Sequence, residues 1–131
     1  MLKKGILNAR LAEALAGLRR KDRFVVSDCG LPVQQGIEVI DLAVVFGVPR
    51  FEQVLDALKS QLVLENAVIA QEARDGLPEK WVRERFDIPV SYIPHNGAAG
   101  FTDSVRDARF VIRTGETTSF ANVIFQCGVP F

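Results

Sequence analysis

An aspartate at the end of an apolar run is the first position in this chain able to do chemistry. Arg23-Phe-Val-Val-Ser-Asp28 reads as a short strand, and Cys29-Gly-Leu-Pro32 closes it with turn residues. A carboxylate there can accept or deliver a proton, and ligands of open α/β sheets sit beyond the carboxyl ends of strands. It can equally bond only the backbone amides of its own turn, and the sequence leaves both readings open. The second candidate is the polar run Arg113-Thr-Gly-Glu-Thr-Thr-Ser-Phe-Ala-Asn122, rich in hydroxyl and amide groups and short of charge. That mix suits hydrogen bonding to a neutral polyol better than clamping a phosphate. Its bland counterpart is a solvated hairpin connection. His95, the single histidine, follows Pro94 in a loop, where the ordinary fate of an imidazole is solvation.

Several other chemistries are excluded. Gly97 and Gly100 form neither a phosphate loop nor a dinucleotide fingerprint, and there is no Gly-x-Ser-x-Gly elbow for a serine nucleophile. Cys29 and Cys127 lie far apart and, with one histidine, argue against a Cys/His zinc site; no metal is expected. They read as two buried thiols in a reducing cytosol.

The elements that must position these groups alternate between helix and strand. Asn8 is a natural N-cap, followed by Leu11, Ala12, Leu15 and Leu18 on one helical stripe, expected to end near Arg19–Lys21 where basic residues suit the dipole. Residues 37–46 are ambiguous, but their β-branched content and the Gly47-Val-Pro49 stop favour extended structure. Phe51, Val54, Leu55, Leu58 and Leu62 mark the clearest amphipathic helix. Residues 65–70 read as a buried strand and 79–86 as a helix. Residues 87–94 read as an extended segment whose two prolines fit a sheet edge. A short helix near 102–107 and strands over 108–113 and 121–127 complete the pattern. It predicts a single-domain α/β sandwich around a mixed sheet.

Composition agrees. The 131 residues, 48% hydrophobic and 24% charged, are one domain's length with enough apolar side chain to fold. Sixteen basic residues balance sixteen acidic ones, so the basic excess of a nucleic-acid binder is absent. The low net charge leaves association between copies plausible. Arg10 and Glu13 interrupt any apolar leader, and the longest apolar stretch, 42–48, is far short of a membrane span. A soluble, cytoplasmic protein is expected.

Taken in order, several segments resemble the bacterial RbsD/FucU family, the D-ribose pyranases and their L-fucose mutarotase relatives. They are Lys3-Lys4-Gly5-Ile6-Leu7-Asn8, Val25-Val26-Ser27-Asp28-Cys29-Gly30-Leu31-Pro32, Ile40-Asp41-Leu42, and Gly47-Val48-Pro49-x-Phe51. Val111-Ile112-Arg113-Thr114-Gly115-Glu116 and the ending Ala121-Asn122 … Gly128-Val129-x-Phe131 complete the set. The resemblance spans essentially the whole chain. It implies an RbsD-like sandwich and a homo-oligomer, a pentameric ring or a decamer of two rings, with monosaccharide sites near subunit contacts. It also implies cofactor-free and metal-free interconversion of pyranose and furanose forms, or of anomers, of a free sugar such as D-ribose.

The resemblance carries Asp28 over directly as catalytic and substrate-binding and Asn122 as substrate-binding; by position it implies Arg20 as the second catalytic residue and His95, Phe120 and Ala121 as further substrate-binding residues. Elsewhere the chain departs from the pattern. The family's Gly-His-x-Asp becomes Arg19-Arg20-Lys21-Asp22, so Arg20 stands at the proton donor's position; an arginine is a poor shuttle but polarises an oxygen or binds an anion. The family's Tyr-Ala-Asn is Phe120-Ala121-Asn122 here. Its His-x-x-Phe-Lys, aligned on Phe101, puts Ala98 and Thr102 at the histidine and lysine positions. His95, three residues early, can fill the histidine's role only if the glycine-rich loop shifts it. The alternative implied by these changes is a non-catalytic sugar- or metabolite-binding oligomer that lost its shuttle at Arg20.

Overall fold

β1 (Arg23–Ser27) shows how one sheet divides the molecule. Phe24 and Val26 point to one face and Val25 to the other, and none of the three reaches solvent. This is the period-two alternation of a strand covered on both sides. The computed structural model describes all residues, 1 to 131. β1 is joined by β2 (Val39–Asp41), β3 (Leu64–Ala70), β4 (Val90–Ile93), β5 (Val111–Arg113) and β6 (Val123–Cys127), in the spatial order β2-β5-β1-β6-β3-β4. β2, β5 and β1 run parallel, β6 is antiparallel to both β1 and β3, and β4 returns parallel to β3. The sheet is mixed, with helices on both faces.

The larger core lies on the Phe24 face. There α1 (Ala9–Ala16) contributes Leu11 and Leu15, α2 (Phe51–Lys59) Phe51, Val54, Leu55 and Leu58, and α3 (Leu77–Arg85) Trp81 and Val82. The Phe125 ring lies 5.6 Å from Phe24 and 4.9 Å from Phe86. Aromatic pairs at such separations add about 0.5–1.5 kcal/mol each beyond their burial. On the opposite face, α4 (Phe101–Ser104) and the tight turn Val105–Asp107 cover Val25, Val111 and Ile124 with Phe101 and Val105.

Asn8 caps α1 as its type predicts, its Oδ1 accepting from the Leu11 amide at 2.9 Å. The helix nevertheless stops at Ala16, with Gly17 closing the last turn, so Arg19–Lys21 lie outside it. Lys21 takes a left-handed φ of 73°, and its amide donates to the Cys127 carbonyl. These residues serve the turn into β1 rather than the helix dipole. Residues 37–46 are extended over three residues only, 39–41: their partner β5 ends at Arg113, and beyond it Val44, Val45 and Phe46 project into solvent. Strand β4, with Pro89 before it and Pro94 after it, is the sheet edge that the prolines predict. No helix is long and apolar enough to cross a membrane.

Candidate active site

Strand direction decides what meets at one end of the sheet. β1 and β5 run parallel with Ser27 beside Arg113, while β6 is antiparallel with Val123 beside Val26. The residues that follow β1 and β5 and those that precede β6 therefore share one edge. The Asp28 amide donates to Asn122 Oδ1 at 2.9 Å, and Asn122 Nδ2 donates back to Asp28 Oδ2 at 3.2 Å. Thr114 donates to the Ser27 carbonyl through its amide and its hydroxyl, and the Cys29 amide donates to the Glu116 carbonyl. The 113–122 run is thus no solvated hairpin connection. Thr114, Gly115, Glu116, Ala121 and Asn122 are all buried.

This edge lines an open cavity of about 340 Å³ walled by Asp28, Cys29, His95, Glu116, Phe120 and Asn122, with Thr117 and Ser119 adding hydroxyls. That is the small end of the range for small-molecule sites. Asp28 also holds its own turn, with the Gly30 amide donating to Oδ1 at 3.0 Å. This carboxylate therefore does both things open to it, facing the cavity and closing its turn. Partial burial pushes the Asp28 carboxyl above the usual aspartate range, opposed by hydrogen bonds from Gly30, Asn122 and Leu31 and by the His95 imidazole. A raised carboxyl is better matched to proton transfer near neutral pH than an ordinary one.

His95 reaches the cavity because the loop after it absorbs the extra residues. Residues 96–100 bulge through left-handed turns at Gly97 (φ 93°) and Ala99 (φ 59°), and the Thr102 amide then donates to the His95 carbonyl. The imidazole stacks on Phe101 at 6.2 Å and meets Phe120 edge-on at 5.0 Å. Its backbone amide donates to Glu72, while Nδ1 is shielded from solvent and has no protein partner. Phe120 itself adopts φ 60°, a region costly for a bulky side chain.

Arg20, Ala121 and Cys29 stand differently from expectation. Arg20 is not at this site within the chain: it precedes β1 whereas Asp28 follows it, and a five-residue strand spans roughly 17 Å. Its Nε contacts Glu65 Oε1 at 3.3 Å on a side chain 62% exposed. Lys21, the Gln126 amide and Arg20 together hold Glu65 down to about 2. Ala121 faces the core, not the cavity. Cys29 is only half-buried and lines the cavity, unlike Cys127, whose buried thiol is pushed up to about 11.

The residue that sequence reasoning missed is Glu116. Only 1% exposed, its carboxylate accepts from the amides of Phe51 (3.1 Å), Thr117 and Thr118 (3.2 Å each) and the Thr118 hydroxyl (2.9 Å). Burial raises its carboxyl, but these donors and Arg50 outweigh that and hold it below the usual range. The signal in the sequence is a lone acid in a hydroxyl-rich run, 114–122, that carries no other charge. No three His, Cys, Asp or Glu side chains converge as a metal-ligating group.

Comparison with known proteins agrees over the full length. The chain matches the family described as the RbsD / FucU transport protein family over residues 1–130. A D-ribose pyranase of Corynebacterium glutamicum (strain R) is 49% identical over 131 residues, covering 100% of both chains. One from Cutibacterium acnes is 47% identical, again over 100% of both. The solved structure of Bacillus subtilis RbsD complexed with D-ribose matches with a TM-score of 0.91 at 37% identity, covering 100% of each chain. The Streptococcus pneumoniae fucose mutarotase in complex with L-fucose shares the fold, with a TM-score of 0.78 at 20% identity over 99% of this chain and 100% of that one. With family model and relatives matched from end to end, and the fold shared at a TM-score of 0.91, this chain belongs to the RbsD/FucU family.

Proposed function

We propose that this protein is a sugar-ring isomerase that interconverts pyranose and furanose forms, or anomers, of a free monosaccharide such as D-ribose. The observation that carries this reading is the Asp28–Asn122 pair facing His95 in a monosaccharide-sized cavity, in a chain 49% identical end to end to a D-ribose pyranase. Ring opening removes the proton from the anomeric hydroxyl as the C1–ring-oxygen bond breaks and C1 becomes a carbonyl. The ring oxygen takes up a proton from water, and reclosure on another hydroxyl of the sugar returns it while Asp28 gives its proton back to the new anomeric oxygen. Asp28, with its raised carboxyl, accepts the first proton, while Asn122 orients it. The His95 imidazole, which lines the cavity, meets a hydroxyl of the polyol, and Phe120 supplies a flat wall. No step calls on a cofactor.

Arg20 enters this proposal from a neighbouring copy. In a homo-oligomer, pentameric or decameric, the end of one protomer carrying Arg20 would face the open cavity of the next. There a permanent cation polarises the ring oxygen or receives an acidic substituent. A cytoplasmic location completes the reading, supported by two free cysteines suited to a reducing compartment. Saturation-transfer NMR on D-ribose and several other free sugars tests it. Faster pyranose–furanose or anomeric exchange with at least one sugar is expected, and unchanged exchange with all of them overturns it.

A further inference from the structure

We infer that Glu116 is a positioning residue: its buried carboxylate sets the wall that presents Phe120 and Asn122 to the cavity, and ties that wall to the start of α2. The two carboxylate oxygens divide the work. Oε1 accepts from the Phe51 amide, one of the unpaired donors of the first turn of α2. Oε2 accepts from three donors of the cavity wall, the Thr117 and Thr118 amides and the Thr118 hydroxyl. A carboxylate that only capped the helix would need the first contact and none of the others. With four donors engaged the group is satisfied as an anion, and burial without them would be costly. It therefore holds geometry and shuttles no proton.

The connection from Glu116 to the reacting groups is continuous. The Thr118 carbonyl accepts from the Ala121 amide at 3.3 Å, and the Phe120 carbonyl from the Asn122 amide at 2.8 Å. Between them Phe120 is kept at its left-handed φ, which the surrounding bonds must impose. Asn122 then holds Asp28 through both of its side-chain atoms. The main chain of Glu116 closes the circuit, because its carbonyl accepts from the Cys29 amide directly after Asp28. One residue thus anchors the chain on both sides of the Asp28–Asn122 pair.

The inference rests on the ring-isomerase reading for its kinetic readout alone. Glu116→Gln keeps the shape but turns an N–H toward an N–H donor. Thr118→Val removes one donor to Oε2 and leaves the Phe51 contact in place. In both variants the NMR signals of the Phe120 backbone amide and the Asn122 side-chain amide are expected to move. The exchange rate at saturating sugar should fall roughly tenfold to a hundredfold in Glu116→Gln, with KM changed less than about threefold. If Glu116→Gln fails to fold, Thr118→Val carries the test through the same two signals. Native positions for both signals in Thr118→Val, or loss of α2 protection in Glu116→Gln without movement of either, overturn the inference. A native protein that exchanges no sugar overturns the ring-isomerase reading instead, and the two signals still decide the role of Glu116.

Discussion

Asp28 is held from three directions, by Asn122, by the Gly30 amide and by partial burial, and these do not act with one sign. Burial raises its carboxyl, while the Gly30 and Asn122 hydrogen bonds favour the charged form and pull it back. In its proposed role as acceptor of the anomeric proton, Asp28 must be ionised. Activity should therefore be lost on acidification at a higher pH than an ordinary aspartate would allow. Asn122→Ala removes one of the opposing bonds, so its acid limb is expected to move further up in pH than that of the native protein. The rate on the plateau should also fall roughly tenfold, the equivalent of about 1.4 kcal/mol from one hydrogen bond to a charged group. A pH profile of sugar exchange for the two proteins checks both; an acid limb that stays put or moves down removes Asp28 from the base's role.

At the scale of elements, the site depends on a close approach between the segment that follows β5 and the exposed loop before α2. The Gly47 amide donates to the Gly115 carbonyl, the Gly115 amide donates to the Pro49 carbonyl, and a Cβ on Gly115 would lie 2.6 Å from the Val48 carbonyl oxygen and 2.7 Å from that of Val45. Backbone atoms at that distance cannot swing aside as a side chain can. Gly115→Ala is expected to destabilise the fold by about 1–3 kcal/mol. It should also disturb Glu116, the next residue, and with it the cavity wall. Denaturant midpoints measure the first effect and sugar exchange the second; an unchanged midpoint would show that the loop yields. The same loop carries Val44, Val45 and Phe46 out into solvent as three consecutive exposed apolar residues.

For the whole molecule, the question is where Arg20 acts. The Arg20, Lys21 and Glu65 cluster sits beside the end of β6 at Cys127, and Asp28 sits beside its beginning at Asn122. In the proposed homo-oligomer, a site that used both ends would be shared between copies. Mixing Arg20→Ala protomers with Asp28→Asn protomers, each expected to be inactive alone, should regain about a quarter of native activity in a ring of head-to-tail contacts. No recovery on mixing, or full activity of Arg20→Ala alone, would show that Arg20 has no part in the site.

The amino-acid sequence alone determined the local features of this protein. Asn8 as a cap, the α2 stripe from Phe51 to Leu58, the apolar β1 and the proline-flanked edge strand are all legible, because each depends on neighbours a few residues away. Asp28 and Asn122 are legible as candidate site residues through motif and strand end. The end of α1 at Gly17 was not, because the stripe continues to Leu18 beyond the helix. Only the tertiary structure decided that these two residues, 94 positions apart, touch while Arg20, eight positions from Asp28, does not. It also decided that His95 returns to Phe101 over its bulged loop, and that Glu116 is a buried anchor rather than a solvated acid. The physical reason is strand direction: register and polarity, fixed by long-range pairing, choose which ends of which strands share an edge, and no local pattern encodes that choice.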